Sequence, residues 1–155
     1  MRLFSFFTSP KPLLSEAQQA QLMQAIRLAE QRTSGEIRVF LERRCRYVDA
    51  ADRAAEIFFS TGMQQTQQRN AVLIYLATED LQVAVWGDQG IHEKLDPLYW
   101  QERVHAMLGL FKKEDYLQGL LGCVEATGEA LHHHFPYDGS ADRNELSDDI
   151  LFGRS

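Results

Sequence analysis

Arg69-Asn70-Ala71-Val72-Leu73-Ile74-Tyr75-Leu76-Ala77, followed after Glu79-Asp80 by Gln82-Val83-Ala84-Val85-Trp86 and closed by Gly87-Asp88-Gln89-Gly90-Ile91, is the stretch that decides the fold. Both runs are rich in β-branched and aromatic residues, and the short polar link between them predicts an antiparallel hairpin. The run from Asn70 to Ala77 is apolar on both faces, which predicts a central strand covered by helices on each side. The second run ends in a turn holding two glycines and an acid, and that turn is the candidate functional site.

Upstream, Ser15 with Gln18 three residues later is a capping-box pattern, and Leu22, Ile26 and Ala29 recur at helical spacing behind it. Ser34-Gly35 closes this first helix. Glu36 to Arg43 alternates, with Ile37, Val39 and Leu41 on one face and Glu36, Arg38 and Glu42 on the other, so a strand with one polar face is expected. Phe40 breaks the alternation. Asp49 to about Ser60 reads as a second helix stopped at Gly62. Strand, helix, strand implies a right-handed crossover and a parallel pair. Downstream, Pro97 opens a helix from Leu98 to about Phe111, and Asp115 is expected to cap another from Tyr116 to about His133. The fold class is therefore α/β: a small mixed β-sheet sandwiched between helices, in the order α-β-α-β-β-α-α. Residues 1–12 form an N-terminal segment, 13–135 the domain, and 136–155 an acidic tail expected to be partly extended, with Leu146, Ile150, Leu151 and Phe152 available to fold back.

The 155 residues suit one core, and a net charge of −6 argues against nucleic acid or anionic lipid as a main partner, since both are held by clustered Lys and Arg. Cys45 and Cys123 sit in no zinc-type or CxxC spacing, so a disulfide framework is not expected. The apolar run in Met1-Arg2-Leu3-Phe4-Ser5-Phe6-Phe7 is too short for a signal peptide, and nothing approaches the roughly 20 apolar residues of a membrane helix. A soluble, cytoplasmic chain without membrane insertion is expected.

The antiparallel topology brings the Gly87-Asp88-Gln89-Gly90 turn, with His92 and Glu93 after it, beside the starts of the first two strands, near Gly35, Glu36, Thr66, Arg69 and Asn70. Oxygen ligands on flexible turns suit a hard cation such as Ca²⁺ or Mg²⁺, and a backbone concavity beside Arg69 suits an anion. The structural alternative is that Gly87 and Gly90 supply positive φ while Asp88 hydrogen-bonds its own turn. Whether Glu36 faces Asp88 depends on strand register, which a one-residue slip reverses.

Other constellations carry less. Gly87-x-x-Gly90 lacks the further glycines and lysine of phosphate-binding loops. His132-His133-His134 are consecutive on a helix and point in different directions, so favourable interaction with the helix C-terminus is the expected role. Asp138, Asp142, Glu145, Asp148 and Asp149 lack the EF-hand spacing and read as a solvated acidic segment. Neither Ser34 nor Ser60 sits in a nucleophile elbow. Cys45 lies among Arg43, Arg44 and Arg46, surroundings that favour thiolate, although a solvated loop cysteine is the expected state.

Arg69 to Tyr75, Gly87 to Ile91, and Asn144-Glu145-Leu146-Ser147-Asp148, together with Ser34-Gly35-Glu36-Ile37-Arg38-Val39, resemble blocks of the TPM-domain family, known also from its thylakoid-lumen photosystem II repair member. The likeness is to short bacterial members without a membrane anchor. It implies a helix-sheet-helix sandwich, and supports Asp88 as a metal ligand or site residue with Asn70 and Arg69 as neighbours. Some members are described as Ca²⁺-binding and some as acid phosphatases. Two functions follow as expectations. One is a metal-binding module for Ca²⁺ or Mg²⁺ that presents a surface to a protein partner. The other is a metal-assisted phosphatase acting on phosphomonoesters, with Asp88 and either Glu36 or Glu93 holding the ion and Arg69 neutralising phosphate.

Overall fold

The computed structural model describes residues 13–139 and 150–153. Five helices and four strands lie among them: α1 (Glu16–Glu30), β1 (Glu36–Glu42), α2 (Ala50–Ser60), β2 (Ala71–Ala77), β3 (Gln82–Gly87), α3 (Gln89–His92), α4 (Tyr99–Phe111), α5 (Tyr116–His134) and β4 (Ile150–Phe152). The sheet order is β3-β2-β1-β4. β1 and β2 pair in parallel from Glu36 opposite Ala71 to Glu42 opposite Ala77, and β3 returns antiparallel with Val72 opposite Gly87. The α/β sandwich and its mixed sheet are as the sequence predicts. The single-turn α3 was not in that reading, and the tail residues expected to fold back form an edge strand, β4, which pairs parallel with β1 through Ile150, Leu151 and Phe152. The expected contribution of Leu146, and the acids from Asp142 to Asp149, lie outside the described residues, as does the N-terminal segment 1–12.

Strand alternation sorts the core into two clusters. Ile37, Val39, Leu41, Val72, Ile74, Leu76, Val83 and Val85 pack against Leu22 and Ile26 of α1, Met107 and Phe111 of α4, and Leu120 and Val124 of α5. The opposite face, with Leu73, Tyr75, Ala77 and Ala84, packs on Ala54, Ile57 and Phe58 of α2. Ala54 and Ala50 keep the α2 surface shallow, which lets the helix approach the sheet. Phe40, which breaks the β1 alternation, belongs to this second cluster and stacks on Tyr75 with ring centroids 6.2 Å apart.

β1 has the expected polar face of Glu36, Arg38 and Glu42, and all seven of its residues are buried. A helix on that side excludes water, and the charges are satisfied internally. Arg53 of α2 forks onto Glu42 at 2.9 and 3.0 Å, and the Tyr75 hydroxyl donates to the same carboxylate. Ser15 forms the expected capping box with Gln18, and Asp49 caps α2. Asp115 occupies the N-cap position of α5 but makes no side-chain cap hydrogen bond, contrary to expectation.

Candidate functional site

The site is assembled at the end of the sheet where β1 and β2 begin and β3 finishes. Arg69 leads into β2 in the left-handed region at φ 53°, a conformation rare for a side chain with a Cβ. That bend sets the Arg69 carbonyl to accept from Gly90 N at 2.8 Å, while Asp88 N donates to the Ala71 carbonyl at 2.9 Å. Glu36 N reaches the Asn70 carbonyl at 3.5 Å. The expected juxtaposition of Glu36, Arg69, Asn70 and the Gly87–Gly90 turn is therefore present, and the register places Glu36 and Asp88 on either side of Ala71. Two interstrand spacings, about 10 Å, separate their backbones.

Asp88 is 2% exposed. Its two carboxylate oxygens accept from Arg69 Nε at 2.6 Å and Nη2 at 2.8 Å, a bidentate pair, and Oδ1 also accepts from Gln89 N at 2.8 Å to cap α3. The Asp88 hydrogen bond raises the Arg69 guanidinium pKa, so the arginine stays charged and tied to this carboxylate. The suggested capping role of Asp88 is thus real, but it is one of two.

The two glycines act through space and not through backbone torsion. Neither Gly87 nor Gly90 has positive φ; among described glycines only Gly62 and Gly139 do. A Cβ on Gly87 would lie 2.5 Å from the Trp100 ring, and one on Gly90 would lie 2.1 Å from the Gln68 carbonyl oxygen and 2.6 Å from that of Arg69. Gly90 therefore lets the turn sit directly on the 68–69 backbone.

Asn70 is 1% exposed. Its Nδ2 donates to Ser34 Oγ and Gln68 Oε1, each at 3.3 Å, and Ser34 Oγ donates to Gln68 Oε1 at 3.0 Å. Asn70 Oδ1 is buried without a hydrogen-bond partner, a cost of about 1–3 kcal/mol for a neutral acceptor left unsatisfied. Sequence reasoning named Asn70 as a neighbour but had no means of seeing this orphaned oxygen.

Glu93 ends α3 as its C-cap and is exposed. No group of three or more His, Cys, Asp or Glu side chains that could hold a metal exists among the described residues. Any hard cation here would rest on one carboxylate, Asp88, the other oxygens at this end being amide and backbone carbonyls. The donor chemistry is all oxygen, which fits Ca²⁺ or Mg²⁺ in kind.

Elsewhere, His132, His133 and His134 occupy the last turn of α5, with His132 Nδ1 2.8 Å from the Arg32 carbonyl. Cys45 is not a solvated loop cysteine as expected: it is buried against the α2 cluster, its Sγ 3.6 Å from the Tyr47 carbonyl. Burial pushes the Cys123 thiol up to about 12. The sequence reading missed the Glu42, Arg53 and Tyr75 cluster altogether: the spacing of Arg53 and Glu56 on α2 signals a pair along the helix, and nothing local signals the second pair to Glu42.

A mixed sheet with a parallel β1-α2-β2 crossover, three helices on one face, and a capped glycine turn at its end defines a small α/β sandwich domain. The chain belongs to the TPM domain family, whose model matches residues 8–130. It is similar over its length to the BA42 protein from the psychrophilic bacterium Bizionia argentinensis, solved by NMR, with 36% identity, 94% of this chain and 99% of that one covered, and a TM-score of 0.83. Two further NMR structures share the fold. One is the N-terminal domain of a P. gingivalis protein (19% identity, 87% and 83% covered, TM-score 0.59), and the other the N-terminal domain of the cg2496 protein from Corynebacterium glutamicum (15%, 86% and 78%, TM-score 0.54). No curated protein sequence matches the chain. Among the described residues no helix is long and apolar enough to cross a membrane.

Proposed function

We propose that this TPM domain is a binding module whose Asp88 end takes a divalent cation, Ca²⁺ or Mg²⁺, in exchange for the Arg69 guanidinium, and so orders a surface for a protein partner. The observation that carries this reading is the buried, unpartnered Oδ1 of Asn70, the residue next in sequence to the arginine that holds the Asp88 carboxylate. Arg69 is about a third exposed, so its side chain has room to leave Asp88 without repacking the core. Asp88, Asn70 Oδ1, Gln68 Oε1 and the backbone carbonyls of residues 68 and 69 would hold the ion. With a single carboxylate, affinity belongs in the range of about 10⁻⁴–10⁻³ M seen where ligand charge is low. Glu36 and Glu93 remain the reserve carboxylates, one across Ala71 and the other at the end of α3. The surface presented would be the α3–α4 connection, where Leu98 is 54% exposed.

The phosphatase reading needs the same exchange, with the displaced Arg69 neutralising phosphate, and adds to it a nucleophile for which no residue at this end has been named. The discriminating experiment is thermal melting of wild type and Arg69→Gln in EDTA and in 10 mM Ca²⁺ or Mg²⁺. Removing Arg69 leaves Asp88 uncompensated, so the variant should melt lower than wild type in EDTA and gain more from the cation. A cation present at 100 times its Kd adds about 2.7 kcal/mol. Equal melting with and without cation in both proteins would exclude the exchange.

A further inference from the structure

The opposite end of the sheet carries a second cluster of charged side chains. In an open α/β sheet, ligands characteristically bind outside the carboxyl ends of the parallel strands, and here that end is formed by Glu42 of β1 and the 43–49 connection into α2. An open cleft of about 550 Å³ lies there, with Arg43, Arg44, Arg46, Tyr47 and Arg53 on its walls beside the carboxylates of Glu42 and Glu56. That volume is within the 300–1,000 Å³ or so of small-molecule pockets. Four guanidiniums on one cleft are a strong local departure in a chain of net charge −6.

Their partners show which remain available. Arg53 is held by Glu42 and, at 2.5 Å, by Glu56. Arg43 and Arg44 share a single carboxylate, Glu79. Arg46 makes no ion pair or hydrogen bond among the described residues, and only its field reaches Glu42. The guanidiniums thus outnumber the carboxylates they touch by one, and Arg44, 71% exposed, keeps donors directed at solvent. Tyr47 supplies an aromatic wall, its ring centroid 6.0 Å from Arg53 Cζ.

The first part of the loop that carries these groups is tied to the sheet. Thr78 N donates to the Glu42 carbonyl at 2.7 Å and Glu79 N to the Arg43 carbonyl at 2.8 Å, prolonging the β1–β2 pairing beyond the strands. Cys45 N donates to Asp80 Oδ2 at 2.9 Å, and the Cys45 side chain is buried as an anchor. A rigid frame spares the ligand the cost of ordering its site. Guanidinium forks match the geometry of carboxylate and phosphate oxygens.

We propose that this cleft is a binding site for a small oxyanion of two or more negative charges, received by Arg46 and the outward donors of Arg44, at the end of the sheet remote from Asp88. The chemistry shared by its possible ligands is that of a polycarboxylate or a phosphate. The site binds and does not react, since its one nucleophile, Cys45, points into the core.

The test is a ¹⁵N–¹H titration of the full chain with citrate and, separately, inorganic phosphate, each at constant ionic strength against sodium chloride. Saturable shifts at the amides of residues 44–47, with those of residues 88–90 unmoved, are expected. In Arg46→Gln the affinity should fall about ten-fold or more, the loss of one charge-assisted hydrogen bond, with the rest of the spectrum unchanged. Arg44→Gln, at another exposed position, should weaken binding as well. Saturation by citrate alone identifies a polycarboxylate site, and saturation by phosphate alone a site for a tetrahedral oxyanion. Non-saturating shifts, shifts matched by chloride, or an affinity unchanged in both variants would overturn the proposal.

Discussion

Arg53→Ala is the most revealing single change in the fold, because it separates the charge of Glu42 from its packing. Glu42 is 8% exposed. Burial pushes its carboxyl up, but the hydrogen bonds from Arg53 and Tyr75 outweigh that and hold it below the ordinary carboxylate range. A depressed native pKa gives stability that is fully present above the unfolded carboxyl value, about 4.3, and is lost as pH falls through the native value. Removing one partner of a buried pair costs about 3–5 kcal/mol; Arg53 is a quarter exposed, so a loss of about 2–4 kcal/mol is expected once solvent screening is allowed for. Without Arg53, burial prevails and the Glu42 carboxyl rises, so the sign of its contribution reverses. The variant then carries a penalty at neutral pH that protonation relieves. Urea unfolding followed by the fluorescence of Trp86 and Trp100 at several pH values between 7 and 4.5 measures this directly. The gap between wild type and Arg53→Ala should be widest at pH 7 and narrow steadily on acidification, and Glu42→Gln in the Arg53→Ala background should recover part of it. A gap independent of pH would refute the electrostatic account and assign the loss to the contacts of Arg53 with Phe40 and Tyr47.

Gly90→Ala should destabilise the α3 turn more than ordinary glycine replacement, since its Cβ meets two backbone carbonyls; a melting temperature within 1 °C or so of wild type would contradict that reading. Phe58→Ala, at a fully buried position, should cost about 3–5 kcal/mol in urea unfolding. With its pKa near 12 and its side chain in the α5 core, Cys123 should resist a thiol reagent at pH 8 in the native protein and react once urea unfolds it.

How much of this was legible in the sequence differs between backbone and side chains. The unbroken apolar run at residues 71–77 placed β2 between helical layers, and the Ser15–Gln18 spacing placed the start of α1, because both signals are local. The polar face of β1 was legible too, but not its burial: alternation records which residues share a face, not what covers it, and α2 brings Arg53 to that face from eleven residues beyond Glu42. Gly87 and Gly90 advertised a special turn, but sequence favoured positive φ where the real constraint is close approach of Trp100 and of the 68–69 backbone. The clustering at the Asp88 end was readable from topology, whereas the Arg69 fork onto Asp88 depends on the left-handed backbone at Arg69, which no residue type signals. Likewise, Arg43, Arg44 and Arg46 were noticed as neighbours of Cys45, yet the cleft they line appears only when α2 is folded against them.

The central claim, a cation exchanged for Arg69 at Asp88, is tested most directly by titrating the wild-type chain and Asp88→Asn with Ca²⁺ and with Mg²⁺ while following the backbone amides. The account predicts saturable shifts with midpoints near 10⁻⁴–10⁻³ M, centred on Arg69, Asn70, Gln89 and Gly90, and absent in Asp88→Asn. Amides at those positions that stay still up to 20 mM of either cation, or that move equally in Asp88→Asn, would contradict it.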